Sequence, residues 1–271
     1  MLSSMPVAAL ELPQHTPVPG GISHLPLKAE QPPKVMFGKH RVMVLPAAET
    51  AYADRADWVA LIGIPLSSKP GNHQATVNGT PLNFEIKNKS YKEQRLIIKN
   101  KRKVNPTKLD MTRINRKKKK ILTALASWSA PQTLPVTQLL KPAQGPYSSP
   151  FGLRRFYNDQ PRSPHSGLDI AAPKDSAIIA PAAGKIVATG EYFFNGRTVI
   201  IDHGYGLTTM YCHMNRIDVA LGEQVDSGFQ LGTIGATGRV TGPHLHWGVS
   251  LNNARIDPSL LMVEPQNKVE K

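Results

Sequence analysis

Three short segments in the carboxy-terminal half of the chain carry side chains of the types that bind a catalytic metal ion. They are P-H-S-G-L-D at 164–169, Y-C-H at 211–213 and G-P-H-L-H-W at 242–247. A catalytic zinc ion takes three protein ligands drawn from His, Asp, Glu or Cys and keeps a further position open for water. The segments supply more than three candidates: His165, Asp169, His213, His244 and His246. Their types and spacing predict hydrolysis by a zinc-activated water.

Local sequence predicts the elements that position these residues. The run L-H-W-G-V at 245–249 has the composition of a strand, in which alternate side chains share a face, so both histidines of the third segment point the same way. Pro164 and Gly167 disfavour a helix and favour a turn that leads into an extended segment. A loop must therefore bring His165 close to Asp169.

The middle segment lies in T-T-M-Y-C-H-M, which is also a strand by composition. Alternation puts His213 on one face, with Tyr211. Cys212 then points to the opposite face, with Met210 and Met214. We therefore interpret the single cysteine as a small core residue rather than a nucleophile. With no partner it forms no intrachain disulfide.

Three further side chains lie near the motifs. His203 follows a strand and belongs to its turn, so we predict that His203→Ala lowers stability more than zinc content. Trp247 alternates away from the neighbouring histidines and is predicted to be a core residue. Arg154, in F-G-L-R, is interpreted as a residue that supports a metal ligand, as a contact to a substrate carboxylate, or as a solvated surface residue.

The three segments together resemble the motifs of the LytM/lysostaphin-type zinc metallopeptidases, which are His-x-x-x-Asp, Y-x-H and His-x-His. The similarity covers about residues 145–262 and includes H-S-G-L-D-I-A-A-P, V-I-I-D-H-G-Y-G and G-P-H-L-H-W. It implies a mainly antiparallel β domain with zinc in its groove. Local strand and helix signals predict that a small β-sandwich or barrel-like domain and one linking helix precede it. The groove walls are expected in the loops at 151–164, 191–197 and 235–243.

Position by position, the resemblance implies that His165, Asp169 and His246 bind zinc, while His213 and His244 are catalytic and handle protons beside it. The chemistry agrees, because two neutral imidazoles and one carboxylate leave a net positive charge at the ion, which lowers the pKa of its water towards about 7. An imidazole with a pKa of about 6.5 accepts a proton from that water or passes one to the leaving amine. The sequence leaves open which histidine does which.

The resemblance implies a zinc endopeptidase that cuts peptide cross-links of bacterial peptidoglycan. Relatives cleave either D-alanyl–meso-diaminopimelate bonds or glycine bridges, and an accessory β domain ahead of the helix favours the first, as in a D,D-endopeptidase. Two other classes are weighed: a catalytically silent regulator of other wall hydrolases, and a polyanion-binding protein with a structural zinc. The complete motif set argues against the regulator, and five candidate ligands exceed the four positions of a closed structural site.

The formal net charge of +14 over 271 residues is a local feature. Residues 85–120 hold 15 basic and 3 acidic side chains, whereas residues 145–271 hold 11 of each. Such a run is typical of a solvated helix face, or of a surface that binds anionic cell-envelope polymers. No nucleic-acid-binding signature accompanies it, so no nucleic-acid partner is expected.

Short strand signals recur through residues 15–105 and predict an accessory β domain ahead of the motifs. Asn78 and Gly79, between two β-rich runs, are typical of a hairpin turn. The sequence identifies no chemistry in this domain. Its role is expected to be inhibition by covering the groove, targeting, or scaffolding.

A basic helix and a proline-rich linker at 106–144 separate this domain from the motifs. Thr107 and Asp110 form a capping-box pattern, which predicts one helix over about 108–127. The zinc peptidase domain is predicted to follow at 145–262.

The two ends of the chain carry no folding signal. Residues 1–14 are predicted to be a tail or the remnant of an export signal, and residues 263–271 a carboxy-terminal tail. No run approaches the roughly 18 apolar residues of a membrane span. The substrate that the resemblance implies lies in the periplasm or cell envelope, so export is expected although no complete signal is evident.

Overall fold

A computed structural model describes residues 10–130 and 135–263. The tails predicted at 1–14 and 263–271 lie largely outside the described residues. The described chain folds mainly into antiparallel sheets with one long helix, which confirms the predicted fold class. None of the helices in this part of the chain has the length and apolar content that a membrane span requires.

The amino-terminal unit consists of two small sheets. Its strands are β1 (Ile22–Leu27), β2 (Val35–Phe37), β3 (His40–Arg41), β4 (Met43–Pro46), β5 (Trp58–Gly63), β6 (Gly71–Val77) and β7 (Thr80–Ile86). One sheet has the order β1-β5-β4 and the other β3-β2-β6-β7. The β6-β7 hairpin turns at the predicted Asn78 and Gly79, which both have positive φ. Apolar side chains of the two sheets meet in one core, as in a small sandwich.

A strand and two helices follow: β8 (Glu93–Leu96), α1 (Lys101–Val104) and α2 (Lys108–Leu125). The predicted capping box is present, since the side chains of Thr107 and Asp110 each accept a hydrogen bond from the other's backbone N–H. The sequence pattern does not predict α1, because four residues are too few for a helical period. The buried side of α2 packs Ala124 and Leu125 on the sheet of the carboxy-terminal half.

The described carboxy-terminal half is built almost entirely of strands. They are β9 (Tyr147–Ser149), β10 (Arg154–Tyr157), β11 (Gln160–Pro161), β12 (Leu168–Ile170), β13 (Ala177–Ile179), β14 (Gly184–Tyr192), β15 (Gly196–Gly204), β16 (Leu207–Ile217), β17 (Gln224–Val225), β18 (Gln230–Ile234), β19 (Leu245–Leu251) and β20 (Ala254–Ile256), before a short 3-10 helix at Pro258–Leu261. Ten of these strands form one sheet, with the central order β14-β15-β16-β19-β12.

Strand β8 pairs in parallel with β10, and Gln94 lies opposite Arg155. Together with β11 these strands form a small sheet beside the large one. By its contacts, the segment that precedes the helices therefore packs on the carboxy-terminal half, although it lies within the range 15–105.

Strand β5 joins the two halves of the molecule. Val59 and Leu61 point into a core shared with the carboxy-terminal half, whereas Ala60 and Ile62 point into the core between the two amino-terminal sheets. A strand buried on both faces needs apolar residues at successive positions, which explains its continuous apolar sequence.

Polar contacts close the same junction. The buried side chain of Asn252 accepts a hydrogen bond from the Gly63 backbone N–H at 2.7 Å and donates one to the Gly63 carbonyl at 3.0 Å. Asn252 lies in the turn between β19 and β20, so the amino-terminal unit is fixed to one end of the strand that carries the His-x-His motif.

Candidate metal centre and groove

The proposed ligands come together where β12 meets β19. Asp169 and His246 are direct partners across these antiparallel strands. His165 precedes β12, in a loop whose course is set by backbone hydrogen bonds between His165 and both Gly152 and Leu153. The loop thus brings His165 to the strand pair, as the sequence predicts.

Three buried atoms converge at this point. His165 Nε2 lies 2.9 Å from Asp169 Oδ1 and 2.9 Å from His246 Nδ1, and His246 Nδ1 lies 2.8 Å from the same carboxylate oxygen. All three side chains are buried. This is a compact donor set of two imidazoles and one carboxylate, the composition typical of a catalytic zinc site.

Hydrogen bonding around His165 tests whether a metal ion fits. His165 Nδ1 lies 2.7 Å from the Pro150 carbonyl oxygen, which can only accept, so Nδ1 carries the ring hydrogen. In the neutral ring, Nε2 then points a lone pair at a carboxylate oxygen, and two facing acceptors repel each other. A cation between them removes this conflict, so the residues fit a zinc ion.

His213 stands at a β-bulge in β16. Between positions 211 and 214 the pairing of β16 with β15 gains one residue, and His213 has a φ of 64°, in the left-handed region. Cys212 packs with Met210 behind the sheet, as predicted. Met214 returns to the core on the Tyr211 side. The prediction that Met214 shares the face of Cys212 is therefore wrong, because the bulge resets the alternation.

His213 and His244 lie beside the ligands with matching orientations. His213 Nδ1 donates to the Thr237 carbonyl at 2.8 Å, and His244 Nδ1 donates to the Gly242 carbonyl at 2.9 Å. Each neutral ring then keeps a lone pair on Nε2. The two ring centres are 4.9 Å apart, and His244 Nε2 lies 4.0 Å from Asp169 Oδ2. The arrangement supplies two proton acceptors next to the ligand set.

Burial sets the charge states of the centre. Burial by itself raises the pKa of Asp169, but the contacts with His165 and His246 outweigh it and hold that pKa well below its usual range. Burial is also the main cause that lowers the pKa of His246 to about 4 and the pKa of His213 well below its ordinary value. At neutral pH Asp169 is therefore ionised, while His246 and His213 are neutral, the forms in which a carboxylate and an imidazole bind a metal ion.

Arg155, which the sequence analysis did not single out, orients the aspartate. Its Nη2 donates to Asp169 Oδ2 at 3.0 Å, and its Nε donates to Gln94 Oε1 at 3.0 Å. The signal for it was alternation within L-R-R-F-Y, since of two adjacent arginines in one strand only one can face the centre.

Arg154, the predicted contact to a substrate carboxylate, faces the other way. Its side chain is 60% exposed and pairs with Glu93 at 3.1 Å. It does not line the pockets that the described ligand residues form.

Several parts of the chain line the groove over the centre, among them Ser148 and Ser149 of β9. All three loops predicted as walls contribute, through Tyr157, Phe194 and Arg239 among others. Strand β8 forms a further wall, since Gln94 within it and Ile98 just beyond it line the same groove. The sequence carries no signal for this wall, because it precedes the zinc motifs by some 70 residues and has no motif of its own.

His203, Cys212 and Trp247 lie apart from the chemistry. His203 is buried, donates through Nδ1 to the Ala183 carbonyl and accepts through Nε2 from the Thr209 hydroxyl, both at 2.8 Å. Burial raises the pKa of the Cys212 thiol to about 11, so it stays protonated. Trp247 is fully buried in the main core.

Comparison with known proteins matches both halves of the chain. The model of peptidase family M23 matches residues 163–258, and that of the peptidase family M23 N-terminal domain matches residues 15–89. A crystal structure from Pseudomonas aeruginosa, described as a peptidase M23, is 39% identical. The similarity covers 90% of this chain and 94% of that chain, with a TM-score of 0.72.

Curated relatives match over a shorter region. The peptidoglycan DD-endopeptidase ShyA of Vibrio cholerae is 40% identical over 101 residues, which are 37% of this chain and 24% of that protein. The DD-carboxypeptidase/endopeptidase Mpg of Neisseria meningitidis is 38% identical over 111 residues, 41% of this chain and 26% of that protein. The matched region thus spans about a quarter of the length of these relatives.

Proposed function

Because the chain belongs to peptidase family M23, we propose that it is a zinc-dependent endopeptidase that hydrolyses peptide cross-links of bacterial peptidoglycan. The observation that carries this proposal is the convergence of three buried donor atoms, from His165, Asp169 and His246. Two imidazoles with free Nε2 atoms stand beside them. A silent regulator of the same fold has no need of this complete set.

Zinc, when bound, polarises a peptide carbonyl and lowers the pKa of water at its open position. The chain's own residues then hold and move protons. His213 and His244 accept a proton at Nε2 and return it to the leaving amine nitrogen. Their Nδ1–H groups stay on the Thr237 and Gly242 carbonyls, which keeps each Nε2 aimed at the groove.

For the bond that is cut, we favour the one between D-alanine and meso-diaminopimelate. The relatives named DD-endopeptidase and DD-carboxypeptidase/endopeptidase support this choice. The glycine bridge is the alternative substrate for the same site.

We propose that the protein acts in the periplasm or cell envelope, where this substrate lies. Lys118, Lys119 and Lys120 are exposed on α2, and none of the ion pairs within the described residues involves them. The acidic residue of α2, Asp110, is bound to Arg102. An unpaired cationic face of this kind supports attraction to anionic envelope polymers.

For the amino-terminal unit we propose scaffolding. Its contacts with the other half include the shared core and the hydrogen bonds between Asn252 and Gly63. The residues that line the groove in the described part of the chain all lie at position 94 or beyond. A domain that covers the groove would contact that lining.

One experiment tests the activity and the two histidine roles. The purified, zinc-loaded chain is incubated with cross-linked muropeptide dimers, with and without chelator, alongside His213→Ala and His244→Ala. We expect metal-dependent cleavage by the wild type, and a loss of about 10²- to 10⁴-fold in each variant with zinc retained. Absence of metal-dependent cleavage by the wild type removes the endopeptidase proposal. Undiminished activity in both variants overturns their proton roles.

A further inference from the structure

Arg239 is held in the groove wall by its backbone and by its side chain. Its N–H donates to the Phe194 carbonyl at 2.9 Å. Its guanidinium carbon lies 4.4 Å from the centre of the Phe194 ring and 4.5 Å from the centre of the Tyr157 ring. A planar guanidinium placed against two aromatic rings is oriented before any ligand arrives.

The charge of Arg239 lacks a carboxylate partner within the described residues. None of the ion pairs formed there includes it. Its Nη1 lies 3.5 Å from the Lys103 carbonyl oxygen, which is a long contact. Burial lowers the pKa of the guanidinium, and the neighbouring cations Arg155 and Arg162 act in the same direction, whereas Tyr157 opposes this shift through its charge and a side-chain hydrogen bond.

The two neighbouring guanidiniums are already committed to other groups. Arg155 binds Asp169 and Gln94, while Arg162 binds the Val104 carbonyl and other acceptors. Arg239, by contrast, has no carboxylate partner among the described residues and makes one long contact to a backbone carbonyl, so its guanidinium can donate to a ligand. A partly desolvated charge of this kind is stabilised when a ligand supplies the opposite charge.

Arg239 also faces the chemistry. It lines one pocket with Asp169, His213 and His244, and a second pocket with His165 and other site residues. An anion held by Arg239 would therefore lie in the groove, beside the ligand set.

We propose that Arg239 binds a free carboxylate that the substrate carries on the carbon attached to the scissile nitrogen. This inference rests on the proposed function. In a D-alanyl–meso-diaminopimelate cross-link that carbon bears a carboxylate, whereas a glycine bridge has no charged group there. A guanidinium binds a carboxylate through two parallel N–H···O hydrogen bonds, so it recognises both charge and shape. Arg239 thus makes the groove selective for the diaminopimelate cross-link.

The test uses two dimers that differ only at this group, which is a free acid in one and a primary amide in the other. The ratio of kcat/KM for acid over amide is measured for the wild type, Arg239→Met, Arg239→Lys and Arg216→Met. We expect a ratio of about 10- to 100-fold in the wild type and about one in Arg239→Met. Arg239→Lys keeps the charge without the planar fork, so an intermediate ratio is expected. Arg216, which bonds to Asp218 outside the groove, serves as the matched control with the wild-type ratio.

Calorimetric titration with the cleaved monomer peptide, as acid and as amide, gives a second readout that needs no turnover. We expect Arg239→Met to lose the preference for the acid while its zinc content and Tm match those of the wild type. If Arg239→Met does not fold, Arg239→Lys provides the comparison.

The outcomes separate this inference from the proposed function. An acid preference in binding that depends on Arg239, with neither dimer cleaved, removes the endopeptidase proposal and leaves the carboxylate site standing. Cleavage with an undiminished acid preference in Arg239→Met overturns the site. Absence of any acid preference in the wild type also overturns it.

Discussion

Asp169 connects the ligand set to the groove wall through its two oxygen atoms. Oδ1 faces His165 and His246, whereas Oδ2 accepts from Arg155. The carboxylate cannot rotate without breaking one set of contacts or the other. Arg155 therefore orients Asp169, and we expect it to influence metal binding through that carboxylate.

We expect Arg155→Met to weaken zinc binding by about 10- to 100-fold, because the carboxylate loses the partner that orients it. Competition with a chromogenic chelator measures this affinity. Arg154→Met is the matched control, because Arg154 is adjacent in sequence but its guanidinium is exposed and binds Glu93. Equal zinc affinities in the two variants would show that Arg155 does not position Asp169.

Gly167 leaves room for the ring of His246. A Cβ at this position would lie 2.5 Å from the Trp247 carbonyl oxygen and 2.7 Å from Cε1 of His246. We expect Gly167→Ala to displace the His246 ring and to lower both zinc content and Tm. Gly242→Ala is the control, because a Cβ there meets nothing within 4 Å. Normal zinc content in Gly167→Ala would contradict this account.

His203 makes stability depend on pH. Burial lowers its pKa to about 4, whereas the pKa of a histidine in the unfolded chain is about 6.5. Between these two pKa values the unfolded state binds more protons than the folded state. The stability that neutral His203 contributes is therefore fully present above about pH 6.5 and is lost as the pH falls towards 4. We expect His203→Ala to be less stable than the wild type at pH 7.5 and to keep its zinc. As the pH falls, the variant is expected to lose less stability than the wild type, with a difference of about 1 kcal/mol per pH unit.

Urea unfolding of the zinc-free chain between pH 7.5 and pH 5 measures this difference, and zinc content is determined separately. A His203→Ala variant that keeps its stability but loses zinc would assign His203 to the metal centre rather than to the core.

Among the elements, β16 contains a β-bulge next to a residue of the candidate site. A regular strand would place Met214 on the face of Cys212, whereas the bulge returns Met214 to the main core. The bulge also holds His213 at a φ of 64°. The sheet therefore aims a catalytic candidate at the groove at the cost of one unfavourable backbone conformation.

Strand β8 is an element of the groove that is held by few apolar contacts. Ile98, just beyond it, is buried against Val104 and Tyr157. We expect Ile98→Ala to loosen this wall, raise KM and speed hydrogen exchange over residues 93–104, with zinc affinity retained. The adjacent Ile97 is 84% exposed, so Ile97→Ala is the matched control. Unchanged exchange in Ile98→Ala would mean that other contacts hold β8 in place.

At the scale of the whole molecule, the two halves share one core. Ile22, Met43 and Leu45 of the amino-terminal unit pack in the same cluster as Leu168 and Trp247. Two units joined in this way are expected to unfold together, in one cooperative transition.

We expect Asn252→Gly to lower the stability of the whole chain by about 1–3 kcal/mol, because the Gly63 N–H and carbonyl lose their buried partners. Glycine tolerates the φ of 42° at this position, so the change tests the hydrogen bonds rather than the backbone. Asp159→Gly is the control, at an exposed position with a φ of 61°. Scanning calorimetry that shows two separate wild-type transitions would contradict the single cooperative unit.

The sequence by itself predicted the three donor residues that the structure brings together, the faces of the two histidines in β19, the capping box of α2 and the mainly β fold. These features follow from local rules, since a period of two residues fixes the faces of a strand and a cap depends on residues three positions apart. The pairing of Asp169 with His246 across two strands agrees with that local reading.

Only the tertiary structure decided which arginines face the groove, where β16 gains a residue, and that β8 forms a wall. Each of these depends on a partner far away in sequence: Asp169 for Arg155, the opposing strand β15 for the bulge, and β10 for β8. Alternation along a strand predicts which side chains share a face, but it does not predict which other element packs against that face. The meeting surfaces are set by how distant strands pack, and this packing leaves Arg239 without a carboxylate partner among the described residues.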